Sequence, residues 1–270
     1  MIGNGQHDIA VAGSGGVAPS GTGTSGSTRS DPRISLRGIR KSFGSHQALR
    51  GVDLDIFPGE CLGLVGDNAA DETKIISGTY IPDAGTITME GEEVRFSGPA
   101  DARGRNIEMV FQDLSLCDHI DVVGNLFLGR ELSRGPFLDT KTMLIEARKM
   151  LDSLEIRIPR LTGKVAQLSG GQRQAIAIAR AASFKPKVLI MDEPTSALAV
   201  AEVEAVLSLI NRVKANGVSV ILITHRLQDL FRVCDRIAVM YEGTKVAERQ
   251  IGSTNLEDLV HLIVGEGARQ

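Results

Sequence analysis

The chain has 270 residues, room for one or two domains, and 30 Lys+Arg against 33 Asp+Glu leave a net charge of −3. Without a basic excess the composition argues against a dedicated nucleic-acid binder. At 42% hydrophobic and 23% charged it is globular, yet no apolar run nears the 18 or so residues of a membrane span.

Residues 1–32 read as a disordered tail, because the first thirty positions hold eight of the 30 glycines and almost no charge. They lack the charged start and apolar core of a signal peptide. From residue 34 the pattern changes. Segments 34–39 and 52–56 alternate apolar with polar and predict antiparallel strands. A short apolar strand follows at 61–65, ending in Gly66. Segments 86–89 and 94–96 predict a hairpin, and 106–111 another strand. From about 115 to 183 the helical period dominates, with helices at 141–154 and 170–183. The chain then alternates: strand 188–192, helix 200–215, strand 218–224, helix 226–233, strands 236–241 and 245–248, helix 256–264. Such alternation predicts an α/β fold: a mixed, largely parallel sheet core, an N-terminal antiparallel β lobe and a helical insertion in the middle. Cys61, Cys117 and Cys234 are odd in number and far apart, which predicts no disulfide framework and a reduced, cytosolic setting.

Three motifs carry chemistry. Ser169-Gly170-Gly171-Gln172 opens a helix, and its glycines leave backbone N–H groups free to face an anion, helped by the helix dipole. The same residues also fit an ordinary helix start. The strand at 188–192 ends in Asp192-Glu193, at the sheet edge where ligands of open α/β sheets bind. There Asp192 suits Mg²⁺ and Glu193 suits orienting or deprotonating a water. The next apolar strand ends in Thr224-His225, placing a histidine beside that pair. Gln112 closes the strand before the helical insertion and suits hydrogen bonds to metal and water. Phe43, before Gly44, suits stacking on a base.

An aromatic, a Gly-rich turn, a Gln, Leu-Ser-Gly-Gly-Gln, apolar-Asp-Glu and His, in this order, resemble the ATP-binding cassette (ABC) ATPases from about residue 34 to 264. The resemblance implies a P-loop NTPase-like fold with a helical subdomain at about 115–183, and ATP with Mg²⁺ as cofactors. It implies that Phe43 stacks on adenine and that Gly66, Asp67, Asn68, Ala69, Ala70 and Thr73 form the phosphate turn. It implies a signature loop at Ser169, Gly170, Gly171 and Gln172, Mg²⁺ contacts from Asp192, Gln112 and Thr73, and catalysis by Glu193, His225 and Gln112. Gly66-Asp67-Asn68, Ser77-Gly78-Thr79-Tyr80-Ile81-Pro82-Asp83-Ala84-Gly85, Phe96-Ser97-Gly98-Pro99-Ala100-Asp101-Ala102 and Phe127-Leu128-Gly129-Arg130-Glu131 are similar to the carbohydrate-importer branch, and the single cassette to its fructose-type subunits. Implied partners are a second cassette, membrane permease subunits and, indirectly, a periplasmic sugar-binding protein, with no nucleic acid. The implied location is peripheral, on the cytoplasmic face of the plasma membrane.

One departure is large. A phosphate loop of the form Gly-x-x-x-x-Gly-Lys-[Ser/Thr] is expected at Gly66. Without a gap, Asp71 takes the second glycine and Glu72 the lysine, and the downstream pattern arrives three residues early. An alignment that deletes three residues and sets Thr73-Lys74-Ile75-Ile76 on the later helix fits better, and either way the phosphate lysine and its glycine are absent. Losing the lysine removes hydrogen bonds worth about 1.5–3 kcal/mol each, two carboxylates add repulsion, and the helix shortens by about 4.5 Å. Lys74, two positions on, points about 200° away from residue 72. The expectation is poor ATP binding or none. Ala199, where the family usually has Asp, weakens one contact across the cassette pair. Two functions stay open on the sequence: an ATP-hydrolysing importer subunit, and a cassette with a defective loop that serves as a non-hydrolysing structural or regulatory partner.

Overall fold

A computed structural model describes residues 31–66 and 69–264. The expected tail therefore falls outside the described residues except for Asp31 and Pro32, and so do Asp67 and Asn68. In chain order the first elements are β1 (Ile34–Phe43), β2 (His46–Ile56), β3 (Cys61–Gly66), α1 (Ala69–Ile76), β4 (Ala84–Met89), β5 (Glu92–Val94), α2 (Pro99–Gly104) and β6 (Ile107–Val110). The middle holds α3 (Val122–Leu126), β7 (Ser133–Arg134), β8 (Phe137–Leu138), α4 (Thr140–Ser153) and α5 (Gly170–Ala182). The last third runs β9 (Val188–Asp192), α6 (Val200–Ala215), β10 (Ser219–Ile223), α7 (Leu227–Val233), β11 (Arg236–Tyr241), β12 (Thr244–Gln250) and α8 (Leu256–Ile263).

The strands form a four-stranded antiparallel sheet in the order β2-β1-β4-β5 and a six-stranded sheet in the order β12-β11-β3-β10-β9-β6. In the larger sheet all neighbours pair parallel except the edge strand β12. Its central strands are apolar throughout because both faces are covered. Leu189, Met191, Val220 and Leu222 face the helical side, packing with Ile176, Val206 and Ile210. Ile190, Ile221, Leu62 and Leu64 face the antiparallel lobe, packing with Leu36, Leu49 and Leu54. This alternation between two cores sandwiches the sheet and brings the carboxyl ends of β3, β6, β9 and β10 to one edge.

Three local differences from the sequence expectation have physical causes. Strands β1 and β2 run longer than the alternating segments, because register shifts after Leu36, Ile39 and Lys41 break the period without ending the pairing. The β4–β5 turn is only Glu90-Gly91, both with positive φ (52° and 87°), so the second strand starts at Glu92 rather than 94. The helical insertion contains a two-residue hairpin, β7–β8, around Gly135-Pro136.

Candidate functional site

Strand register fixes the candidate site. Asp192 ends β9 opposite Ile223 of β10, which pairs Leu64 of β3, two residues before Gly66. Gly66 closes β3 at φ +100°, and a Cβ there would lie 1.9 Å from the Met240 carbonyl oxygen, so only glycine fits this exit. Val110 ends β6 beside Met191, which puts Gln112 just past the same edge, exposed.

Glu193 and His225 meet directly. The His225 ring Nδ1 lies 2.8 Å from Glu193 Oε1, and the His225 backbone N–H donates to the same oxygen at 2.9 Å. The Thr224 hydroxyl donates to Oε2 at 3.4 Å. Glu193 itself is held at φ +50°, with its backbone N–H donating to the Ile223 carbonyl at 2.9 Å. Left-handed backbone at a non-glycine residue is costly and persists where neighbours over-determine it. Here it turns the chain at the end of β9, where the Glu193 charge bears on Asp192. Burial pushes the Asp192 carboxyl above its ordinary range; Glu193 adds to that shift and the Lys74 ammonium opposes it.

Ser169, Gly170, Gly171 and Gln172 open α5 as a capping box. The Ser169 hydroxyl accepts from the Gln172 N–H at 3.3 Å, and the Gln172 side-chain oxygen accepts from the Ser169 N–H at 3.1 Å. The Gly171 N–H donates to Glu202 Oε1 at 3.0 Å, and the Ala199 N–H to its Oε2 at 3.3 Å. The Ser169 hydroxyl and then these two amides hold the Glu202 carboxyl below its usual range. The donors expected to face an anion are thus turned onto a carboxylate of the same chain. The sequence reading assigned no role at the site to Glu202, Thr224 or Tyr80, although the Ala199-x-x-Glu202 spacing is a signal for a helix start.

Phe43 ends β1, half-exposed, with its ring centroid 4.9 Å from that of Tyr80 in an edge-on arrangement. The first turns of α1 differ from the expectation. Glu72 is fully buried, and its carboxyl oxygens have no hydrogen-bond partner outside the residue itself. Burial pushes its pKa up to about 8, so at neutral pH it is an uncharged acid inside the core. The expected repulsion by two carboxylates is therefore corrected to one: only Asp71 stays near the surface, 3.6 Å from Lys74 Nζ. Ala69 and Thr73 lie on the same buried face as Glu72, and the Thr73 hydroxyl donates to the Ala70 carbonyl at 2.8 Å. The structure brings together Asp192, Glu193 and His225, with Gln112 and Gly66 at the same edge; it does not bring Thr73 there. Among the described residues no group of three or more His, Cys, Asp or Glu side chains is arranged to hold a metal. One half-buried carboxylate, Asp192, nevertheless suits Mg²⁺, which usually takes one or two protein carboxylates and keeps phosphate and water ligands.

The model of one protein family, described as "ABC transporter", matches residues 49–196. A xylose/arabinose import ATP-binding protein of Sulfolobus acidocaldarius is 43% identical over 233 residues, covering 85% of this chain and 93% of its own length. A ribose import ATP-binding protein of Jannaschia sp. is 38% identical over 245 residues, 89% of this chain but only 47% of its own length. Among solved structures, an ATP-binding cassette in its ADP conformation superimposes with a TM-score of 0.70 at 24% identity, over 87% of this chain and 96% of that one. A cassette dimer in a post-hydrolysis state with ADP and phosphate gives 0.68 at 24% identity, over 81% and 98%. These structural likenesses speak for the fold.

Proposed function

Because the chain belongs to the ABC transporter family of ATP-binding proteins, we propose that it is the ATP-binding subunit of a carbohydrate importer, coupling ATP hydrolysis to uptake through a separate permease. The observation that carries this reading is the meeting of Asp192, Glu193 and His225 at the carboxyl edge of the sheet. The relatives named for xylose, arabinose and ribose import favour a sugar as the cargo. Among the described residues no helix is long and apolar enough to cross a membrane, so the reading assigns the translocation path to permease subunits. The chain works as a peripheral protein on the cytoplasmic face, paired with a second cassette.

In this reading Phe43 supports the adenine ring and Asp192 supplies the carboxylate for Mg²⁺. Bound Mg²⁺ neutralises charge on the phosphate oxygens. Glu193 does the proton work. His225 fixes Oε1 through both its ring and its backbone N–H, which leaves Oε2, shared only with Thr224, to accept a proton from an attacking water. Ser169, Gly170 and Gly171 serve the nucleotide of the partner cassette, exchanging the Glu202 carboxylate for phosphate oxygens. Deleting the chain from its source cells tests the reading: uptake of one sugar in a panel of pentoses and hexoses should fall to background. Unchanged uptake of every sugar would refute it.

A further inference from the structure

The sequence lacks the phosphate-loop lysine, and Glu72, which takes its position when no gap is opened, is buried in the core. Any nucleotide bound here still needs charge neutralisation on its phosphates. One cation answers to that need. The 200° between positions 72 and 74 that disqualify Lys74 on the sequence reverse their meaning once residue 72 is seen to be buried. They carry Lys74 to the open face of α1, together with Ala70 and Asp71. Helical side chains lean toward the helix start, and the Lys74 ammonium does so: it lies 3.6 Å from the Asp71 carboxylate, one turn nearer the amino end of α1. That end, Ala69, is three positions after Gly66 in the chain. The ammonium also sits 5.3 Å from the Tyr80 ring centroid, and Tyr80 in turn touches Phe43. Its charge reaches across to Asp192. Lys74 thus stands between the aromatic pair and the carboxylate edge.

We propose that Lys74 is the phosphate-neutralising cation of this chain, held by Asp71 when the site is empty and exchanged from Asp71 to the nucleotide phosphates on binding. The inference rests on the ATP-binding reading above. Tyr80 keeps the lysine stem extended along the path from base to phosphates, and Asp71 is the competitor that a phosphate must outbid. Both acids of the altered loop then have an assigned place: Glu72 is neutralised by burial and Asp71 by Lys74.

Calorimetric titration of the full chain with Mg-ATP and, separately, with adenosine tests this. The chain should bind Mg-ATP, and Lys74→Ala should weaken that binding about tenfold or more while leaving adenosine unchanged, since one charged hydrogen-bond donor is lost. Lys74→Arg should stay within about threefold of wild type, and Asp71→Asn should tighten Mg-ATP several-fold by freeing the ammonium. Lys74→Ala within twofold of wild type for Mg-ATP overturns the inference and leaves the ATP-binding reading standing. An equal loss for adenosine also overturns it, because the lysine would then act only by supporting Tyr80. Wild type that binds no Mg-ATP overturns the ATP-binding reading, and the inference with it.

Discussion

Replacing Glu72 by methionine removes a buried acid while keeping an unbranched chain of similar length. The wild-type carboxyl has a folded pKa of about 8 against 4.5 when exposed, so the folded state favours the neutral form. The unfolded chain releases this proton near pH 4.5, whereas the folded chain keeps it until about pH 8. Stability contributed by this group is therefore present below pH 4.5 and is lost as pH rises toward 8. At about 1.4 kcal/mol per pH unit, the penalty relative to a non-titrating residue is about 1 kcal/mol at pH 5, about 3 at pH 7 and nearly 5 at pH 9. Glu72→Met should escape it, and it also removes two carboxyl oxygens that have no partner in any other residue. Urea unfolding of both proteins at pH 5, 7 and 9 measures the difference, and residues common to both cancel from it. The gap should widen by about 3–4 kcal/mol from pH 5 to pH 9. A gap that stays constant across this range would refute a buried, neutral Glu72.

Two further outcomes follow from buried groups elsewhere. Arg236 is 2% exposed, with Nη atoms 2.6 Å from both Glu60 and Glu248; Arg236→Met takes the guanidinium from both carboxylates, leaving Glu248 with Lys245 and Glu60 with the Phe57 N–H, and should cost about 3 kcal/mol in urea unfolding, so a loss under 1 kcal/mol would contradict the assignment. Cys61 and Cys234 are buried with sulfurs 3.5 Å apart, and burial pushes the Cys234 thiol up, whereas Cys117 is half-buried. Titration with a chromogenic disulfide should therefore modify one thiol rapidly in the native chain and three in urea, and three rapid native reactions would contradict the packing.

Much of the fold is legible in the sequence because the central strands are bounded by strong signals. The run 188–192 is apolar on both faces and stops at an acid pair followed by Pro194, and β9 occupies those residues. Helix α6, from Val200 to Ala215, is legible for the same reason: an uninterrupted helical period, closed by Asn216-Gly217. The hairpin β7–β8 is not legible, since two-residue strands carry no period of their own. The site divides in the same way. Asp192, Glu193 and His225 follow from strand ends, which topology brings to one edge. The phase of α1 does not follow. Glu72 shares the buried side of α1 with Ile75 and Ile76, so an acid sits in the core and Lys74 takes the more open side. Similarly, Glu202 looks like a surface acid of α6 until packing places α6 against the start of α5.

The central claim is that this chain hydrolyses ATP with Glu193 as the water-activating base. Phosphate release by the purified full chain at millimolar Mg-ATP, compared with Glu193→Gln, tests it most directly. The account predicts measurable turnover in the wild type and a loss of about 100-fold or more in the variant. Equal rates in the two proteins would contradict it.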